Sequence, residues 1–532
     1  MTRTAIWGSG AAIVAAWCML APAYAQTDAS QAPAMHCADL VGLTLPGTDL
    51  KIDKAEAMSP APPNTVKIQP PLPAMVSVPL PAYCRVDGSF ERRTGVGGRA
   101  YAFGIAVALP DKWNGRFLYQ GGGGLNGTVN PPLGAAAAGD IPALARGFAV
   151  VSTDSGHKGA VFDPSFFADQ QATLNFADAS VRKVARVAKA IVARYYGKPA
   201  AHSYFAGCST GGREGMLASE RDPGDFDGIV TGDPAMNTGH SNLGLAWFNH
   251  AFTRIAPKDA SGKPEPAKAF SPREQQLVVD AIVKSCDAAD GVADGMIFNA
   301  KQCHFDPAAL QCKGAKDDNC LAAPQVEALK TAFAGPKNSR GATSYPAFPY
   351  DAGITLKGFI PGILASGGHG PVNQPFYETI NVDQIADRVD SDATERLTNT
   401  SRWTNLGSFF GHGGKILYYH GWSDPWFSPL DTLDYYQRMA ASSGGMDKVR
   451  AQSSRFYIVP GMGHCRGGPA LDDFDLLSAV VDWVEHGKAP DYVVATGTAF
   501  PKRSRPLCAW PLHAQYKGSG DPNDAANFTC QN

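Results

Sequence analysis

Three residue types that together can cleave an ester or amide bond occur at well-separated points of the chain. Ser209 lies in Gly207-Cys208-Ser209-Thr210-Gly211, Asp424 in His420-Gly421-Trp422-Ser423-Asp424-Pro425, and His464 in Gly461-Met462-Gly463-His464-Cys465. A serine hydroxyl is a poor nucleophile until a base takes its proton, and the base needs a carboxylate to hold it in one tautomer. The three residues supply those roles. Singly each carries little: G-x-S-x-G arises by chance in loops, Asp-Pro is a common turn, and a loop histidine can simply be solvated. Their weight comes from the elements that position them.

The apolar run 202–206 leads into the Ser209 motif, and a helix-compatible segment follows Gly212. Strand, sharp turn and helix make a nucleophile elbow, in which small residues let the chain turn tightly enough to expose the hydroxyl. Upstream, 101–109 alternates like an antiparallel strand, 116–119 is a short strand running into Gly121 to Gly124, and 147–153 reads as a buried strand. Residues 179–196 place Val181, Val184, Ala188, Ile191 and Tyr195 at helical spacing, stopped by Gly197 and Pro199. Another strand follows at 226–231. This alternation predicts a parallel sheet covered on both faces. The rhythm then breaks for roughly 170 residues, too long for a connection and so an inserted domain. It resumes with strands at 415–420 and 455–459 and a helix at 471–486 ended by Gly487. Asp424 and His464 therefore each fall just past a strand, and the chain order Ser, Asp, His is that of α/β-hydrolases. Residues 26–80, rich in Pro and Ala, read as an irregular or extended lead-in, and the segment through Cys508 and Cys530 as a stapled tail.

The formal charge is −2, with acidic and basic residues interspersed. That argues against nucleic acid or an anionic membrane as partner and favours a small ligand. At the N-terminus Arg3, the apolar run 11–20 and Ala23-Tyr24-Ala25 form a signal peptide over 1–25; the run is short of the roughly 20 residues of a membrane span. Of eleven cysteines, Cys18 falls inside that segment. The even number left in an exported chain reads as disulfides, and the absence of any CxxC pair argues against zinc. Cys208 and Cys465 flank the proposed nucleophile and base, so convergence of Ser209 and His464 would bring those sulfurs within bonding range.

An acyl-transfer site also needs donors for the tetrahedral oxyanion. The N–H of Thr210 is one, and the glycine run after an early strand supplies the other, with Gly122 and Gly123 as candidates. No Lys-Ser/Thr pair follows those glycines, so a phosphate cradle is disfavoured. Within the insertion Asp287, Asp290 and Asp294 fall in eight residues among glycines. Hard oxygen ligands at that density suit calcium, with the carbonyls of Val292 and Met296 completing the shell; a solvated acidic turn is the alternative.

Taken together, GCSTGG around Ser209, FDGIVTGDPA after it, GGKILYYHGWSDPWFSP around Asp424, GMGHC around His464 and the acidic loop from Asp287 resemble the tannase and feruloyl esterase family of secreted α/β-hydrolases. The resemblance implies an α/β fold with an α/β-hydrolase core over 26–235 and 406–532 and a large inserted lid domain over 236–405. It implies Ser209 as nucleophile, His464 as base, Asp424 as its orienter, and structural calcium on Asp287, Asp290, Val292, Asp294 and Met296. It also implies the pairs Cys37 with Cys84, Cys208 with Cys465, Cys286 with Cys303, Cys312 with Cys320, and Cys508 with Cys530; the short spacings of the last three agree. His420 and Phe427 match positions that contact substrate in the family. One member cleaves mono(2-hydroxyethyl) terephthalate and holds the substrate carboxylate with a lid arginine, for which Arg388, Arg396 and Arg402 are the candidates here. The expected function is a secreted or periplasmic serine esterase acting on feruloyl, galloyl or related phenolic esters. Terephthalate monoester hydrolysis, a peptidase or lipase using the same triad, and a non-catalytic binder are the alternatives. Oligomeric state has no signature in the sequence.

Overall fold

The computed structural model describes residues 30–68, 74–370 and 377–532, so the expected signal peptide at 1–25 lies outside the described residues. Nine strands form the central sheet: β1 (Lys51–Met58), β2 (Tyr83–Thr94), β3 (Ala100–Pro110), β4 (Arg116–Gln120), β5 (Ala149–Thr153), β6 (His202–Cys208), β7 (Gly228–Gly232), β8 (Lys415–Gly421) and β9 (Ser454–Val459). Their spatial order is β1-β2-β3-β5-β4-β6-β7-β8-β9. The β1 to β3 end pairs antiparallel, and β5-β4-β6-β7-β8-β9 is parallel throughout.

The parallel strands are apolar on both faces because both are covered. Successive side chains point to opposite sides of a strand. Phe117, Tyr119, Phe205, Ile229 and Ile416 thus pack with Val181, Val184 and Ile191 of the helix Ser180–Tyr196. Their neighbours Leu118, Tyr204, Val230 and Leu417 pack on the opposite face with Leu477 and Val480 of the helix Leu476–His486. The chain between β7 and β8, residues 233–414, holds the helices Thr238–Thr253, Pro272–Cys286 and Ala323–Phe333. They share an apolar cluster built on Phe248, Phe252, Val278, Ile282, Leu329 and Phe333. The second of these helices starts at a capping box, with Ser271 and Glu274 each accepting from the other's backbone N–H. Trp426 and Phe427, from the loop after β8, insert into the same cluster. That loop therefore takes its conformation from both parts of the chain.

Two expectations are corrected. The lead-in is not irregular throughout: β1 pairs with β2 from Lys51 opposite Ser89 to Met58 opposite Tyr83. Leu40, Leu45, Leu50 and Ile52 are buried, and Cys37 is bonded to Cys84. Its composition concealed a strand because β1 is a sheet edge, where Lys51, Asp53, Lys54 and Glu56 discourage further pairing. The helix expected at 471–486 begins only at Leu476, since Asp473–Phe474 pairs with the strand Tyr492–Thr496 and Asp475 caps the helix by accepting from the Ser478 N–H. All five expected disulfides are present.

Candidate active site

Ser209 stands between the end of β6 and the helix Thr210–Arg221, with φ 64° and ψ −123°. A non-glycine residue at positive φ carries backbone strain that its surroundings must hold. The Ser209 N–H donates to the Gly232 carbonyl at 3.0 Å, and the Ser209 carbonyl accepts from Arg213 and Ala235, both at 3.0 Å. Strand and helix pass too closely here for side chains. A Cβ on Gly207 would lie 2.7 Å from the Gly211 backbone, and one on Gly211 would lie 2.7 Å from the Gly122 carbonyl oxygen. Both glycines of the motif are thus required by packing.

The ends of β8 and β9 bring Asp424 and His464 together. His464 Nδ1 lies 2.7 Å from Asp424 Oδ2, while Asp424 Oδ1 accepts from the N–H groups of Trp426 and Phe427 at 2.8 and 3.0 Å. His464 Nε2 makes no hydrogen bond among the described residues, and the ring borders the cavity that Ser209 borders. The Cys208 to Cys465 disulfide, with Cα atoms 6.0 Å apart, joins the residues next to Ser209 and His464. Burial alone would raise the Asp424 carboxyl, but the charges and hydrogen bonds of His464 and His420 outweigh it and hold Asp424 well below the usual carboxylate range. Burial pushes His464 down, and Asp424 more than offsets this, leaving the imidazole above its ordinary value.

His420 does not line the cavity. It is wholly buried, with Nδ1 2.9 Å from Thr432 Oγ1 and Nε2 3.0 Å from the Phe427 carbonyl, 3.3 Å from Asp424 Oδ2 and 3.5 Å from Asp233 Oδ1. The expected substrate contact is therefore corrected to a group that braces Asp424 from behind. The strand alternation turns His420 inward, which spacing from Asp424 did not reveal. Asp233, unforeseen in the sequence, is a second buried carboxylate here; it accepts from the N–H groups of Gly421 at 2.8 Å and Cys465 at 3.2 Å. Burial raises its carboxyl to about 6 against the opposing charge of His420. Its signal was available in the polar residue of GDPA directly after a strand.

The Gly122 N–H is also withdrawn from the expected oxyanion donors, because it donates to Glu214 Oε2 at 2.9 Å. Glu214 is fully buried, and its other oxygen accepts from Asn126 at 2.9 Å, so it pins the glycine loop against the elbow helix. Gly123 borders the cavity with Ser209. Thr210 hydrogen-bonds through its hydroxyl to the Gly124 carbonyl.

Ser209, Gly124, Phe162 and Trp426 border two cavities. One, of about 300 Å³, runs past the glycine loop and His464 to a rim with Phe359, Arg466 and Asp473. The other, of about 220 Å³, is walled by Phe162, Phe167, Phe176, Trp426 and Phe427. Phe427 thus borders a space that Ser209 also borders. None of Arg388, Arg396 and Arg402 lines either one: Arg402 pairs with exposed Asp390, and Arg388 lines a different cavity.

In the acidic loop Asp287 Oδ2, Asp290 Oδ1 and Asp294 Oδ1 accept from the N–H groups of Gly295, Val292 and Met296. Asp287 Oδ1 and Asp290 Oδ2 are buried without a hydrogen-bond partner among the described residues, and Asp294 Oδ2 is taken by Arg505. Burial, with the charges of Asp294 and Asp287, raises the Asp290 carboxyl to about 7. Buried carboxylate oxygens without a hydrogen-bond donor among the described residues are the kind of group a hard divalent cation takes, with Asp294 already paired to Arg505.

The chain is similar to known proteins over most of its length. The chain is 39% identical over 516 residues to mono(2-hydroxyethyl) terephthalate hydrolase of Piscinibacter sakaiensis, covering 85% of each chain. It is 31% identical over 469 residues to a probable feruloyl esterase of Arthroderma benhamiae, covering 80% of this chain and 82% of the relative. Among solved structures it is similar to feruloyl esterase B from Aspergillus oryzae, with a TM-score of 0.74 and 25% identity over 93% of this chain and 99% of the other. The tannase and feruloyl esterase family model matches residues 84–531. With fold, spacing and sequence in agreement over most of its length, the chain belongs to the tannase and feruloyl esterase family.

Proposed function

We propose that the protein is an exported serine esterase hydrolysing esters of aromatic carboxylic acids, with Ser209, His464 and Asp424 as its catalytic triad. The observation that carries this reading is the 2.7 Å contact between His464 Nδ1 and Asp424, which leaves Nε2 unpaired on the cavity of Ser209. Asp424 fixes the tautomer, so Nε2 takes the Ser209 proton as Oγ attacks the ester carbonyl. The N–H groups of Thr210 and Gly123 receive the oxyanion, His464 returns the proton to the departing alcohol, and water then releases the acid from the acyl-enzyme. The aromatic cavity of about 220 Å³ takes the acyl ring, and the larger one takes the alcohol. Residues 236–405 act as the lid that closes this aromatic space. Asp287, Asp290, Asp294 and the carbonyls of Val292 and Met296 would hold calcium, whose charge would neutralise the acidic loop. The five disulfides and the N-terminal signal of residues 1–25 support export to the periplasm or beyond.

Hydrolysis of methyl ferulate and methyl gallate, beside a peptide amide and a long-chain acyl ester, tests the substrate class. Cleavage of the two aromatic-acid esters alone is expected. Ser209→Ala should abolish acyl-enzyme formation while leaving thermal unfolding intact; retained turnover in that variant would refute the triad.

A further inference from the structure

One carboxylate in the aromatic cavity has no role in the steps above. Glu395 lines the same space as Ser209, Thr210, Trp426 and Phe427. Its carboxyl sits against the start of a neighbouring helix: a Cβ on Gly239 would lie 2.8 Å from Glu395 Oε2. Gly239 belongs to the first turn of the helix Thr238–Thr253, so this contact ties residues 393–398 to the roof of the cavity. Glu395 makes no ion pair among the described residues, and the charge that acts on it is that of Asp392, which adds to burial in raising its carboxyl.

We infer that Glu395 forms a subsite for a ring hydroxyl on the acyl group, selecting hydroxylated aromatic acids and rejecting acids that carry a second carboxylate. The inference rests on the aromatic-esterase reading and narrows it. A phenolic O–H reaching Glu395 supplies the donor that a half-buried, cation-free carboxylate lacks. A substrate carboxylate there meets like charge in a poorly solvated space. Among the described residues the one cation lining this cavity is Arg213, and it is already committed. Its guanidinium donates to the carbonyls of Ala177 and Phe176 at 3.2 and 3.1 Å and lies 4.8 Å from the centre of the Phe176 ring. Arg388 lies on a neighbouring cavity that shares Glu395 but not Ser209. Selectivity here would thus run opposite to that of a terephthalate monoester hydrolase, despite 39% identity to one.

The test is kcat/KM of wild type and Glu395→Gln for three methyl esters: 4-hydroxycinnamate, unsubstituted cinnamate and monomethyl terephthalate. Wild type should favour the hydroxylated ester over cinnamate by about 10- to 100-fold, the worth of a hydrogen bond to a charged group. Glu395→Gln should lose most of that ratio, gain on monomethyl terephthalate, and keep its rate on cinnamate, which reports an intact fold. An unchanged ratio on a retained cinnamate rate overturns the subsite and leaves the esterase reading standing. Wild type inactive on all three esters overturns the esterase reading, and the subsite with it. Should Glu395→Gln lose the cinnamate rate too, Glu395→Asp decides: withdrawing the carboxylate by one methylene should lower the ratio, and a ratio equal to wild type overturns the subsite.

Discussion

Replacing Asp424 by Asn keeps the shape of the side chain and changes what it can ask of His464. In the native site Asp424 Oδ2 accepts from His464 Nδ1 at 2.7 Å, while Oδ1 accepts from two backbone N–H groups. In the Asp424→Asn variant those N–H groups claim the amide oxygen, so the amide NH2 faces His464. An NH2 there needs an acceptor, which moves the imidazole proton to Nε2 and removes the lone pair that the proposed mechanism uses to take the serine proton. Loss of the orienting carboxylate in a triad costs about 10⁴-fold in kcat, or about 5.5 kcal/mol of barrier. The pH profile carries an independent prediction. Asp424 raises His464 above its ordinary value of 6.5, and the base works only when neutral. Activity therefore falls as pH drops through that raised value, so the acidic limb of kcat/KM in wild type lies above 6.5. Without the carboxylate burial dominates and the limb moves to lower pH. Steady-state hydrolysis of methyl ferulate between pH 5 and 9 measures both effects. A loss under about tenfold, or a limb that stays in place, would refute the assignment of Asp424 as the orienter of His464.

Other consequences follow from the same geometry. Cys208→Ser with Cys465→Ser opens a link spanning 257 residues; chain entropy puts its worth at about 5 kcal/mol, so thermal unfolding should fall well below wild type, and an unchanged Tm would show that the bridge contributes little. His420→Asn leaves Asp233 and Asp424 both buried and short of an opposing charge, so Tm should drop and the acidic limb should shift while KM for the ester stays near wild type; a rise in KM alone would restore His420 as a substrate contact. Chelation should lower Tm, with recovery on adding calcium but not sodium, and Asp290→Asn should blunt that response; a Tm indifferent to chelator and calcium would remove the proposed ion.

Much of the framework is written in local pattern. A buried parallel strand must be apolar on both faces, so runs such as 415–420 declare themselves, and the crowding between Gly207, Gly211 and Gly122 forces the glycines that mark the elbow. The placement of Ser209, Asp424 and His464 just past β6, β8 and β9 follows from the same rhythm. β1 escaped notice because an edge strand needs charge where a central one needs apolar side chains. The roles of Gly122, His420 and Glu395 depended on something spacing does not encode. Glu214 takes the Gly122 N–H from 92 residues away, His420 faces Asp233 across 187 positions, and Glu395 meets Gly239 across 156. Which polar group is spent inside the protein and which is left for a ligand is settled by the three-dimensional neighbours that claim each donor and acceptor, and those neighbours come from segments whose separation along the chain carries no record of their contact.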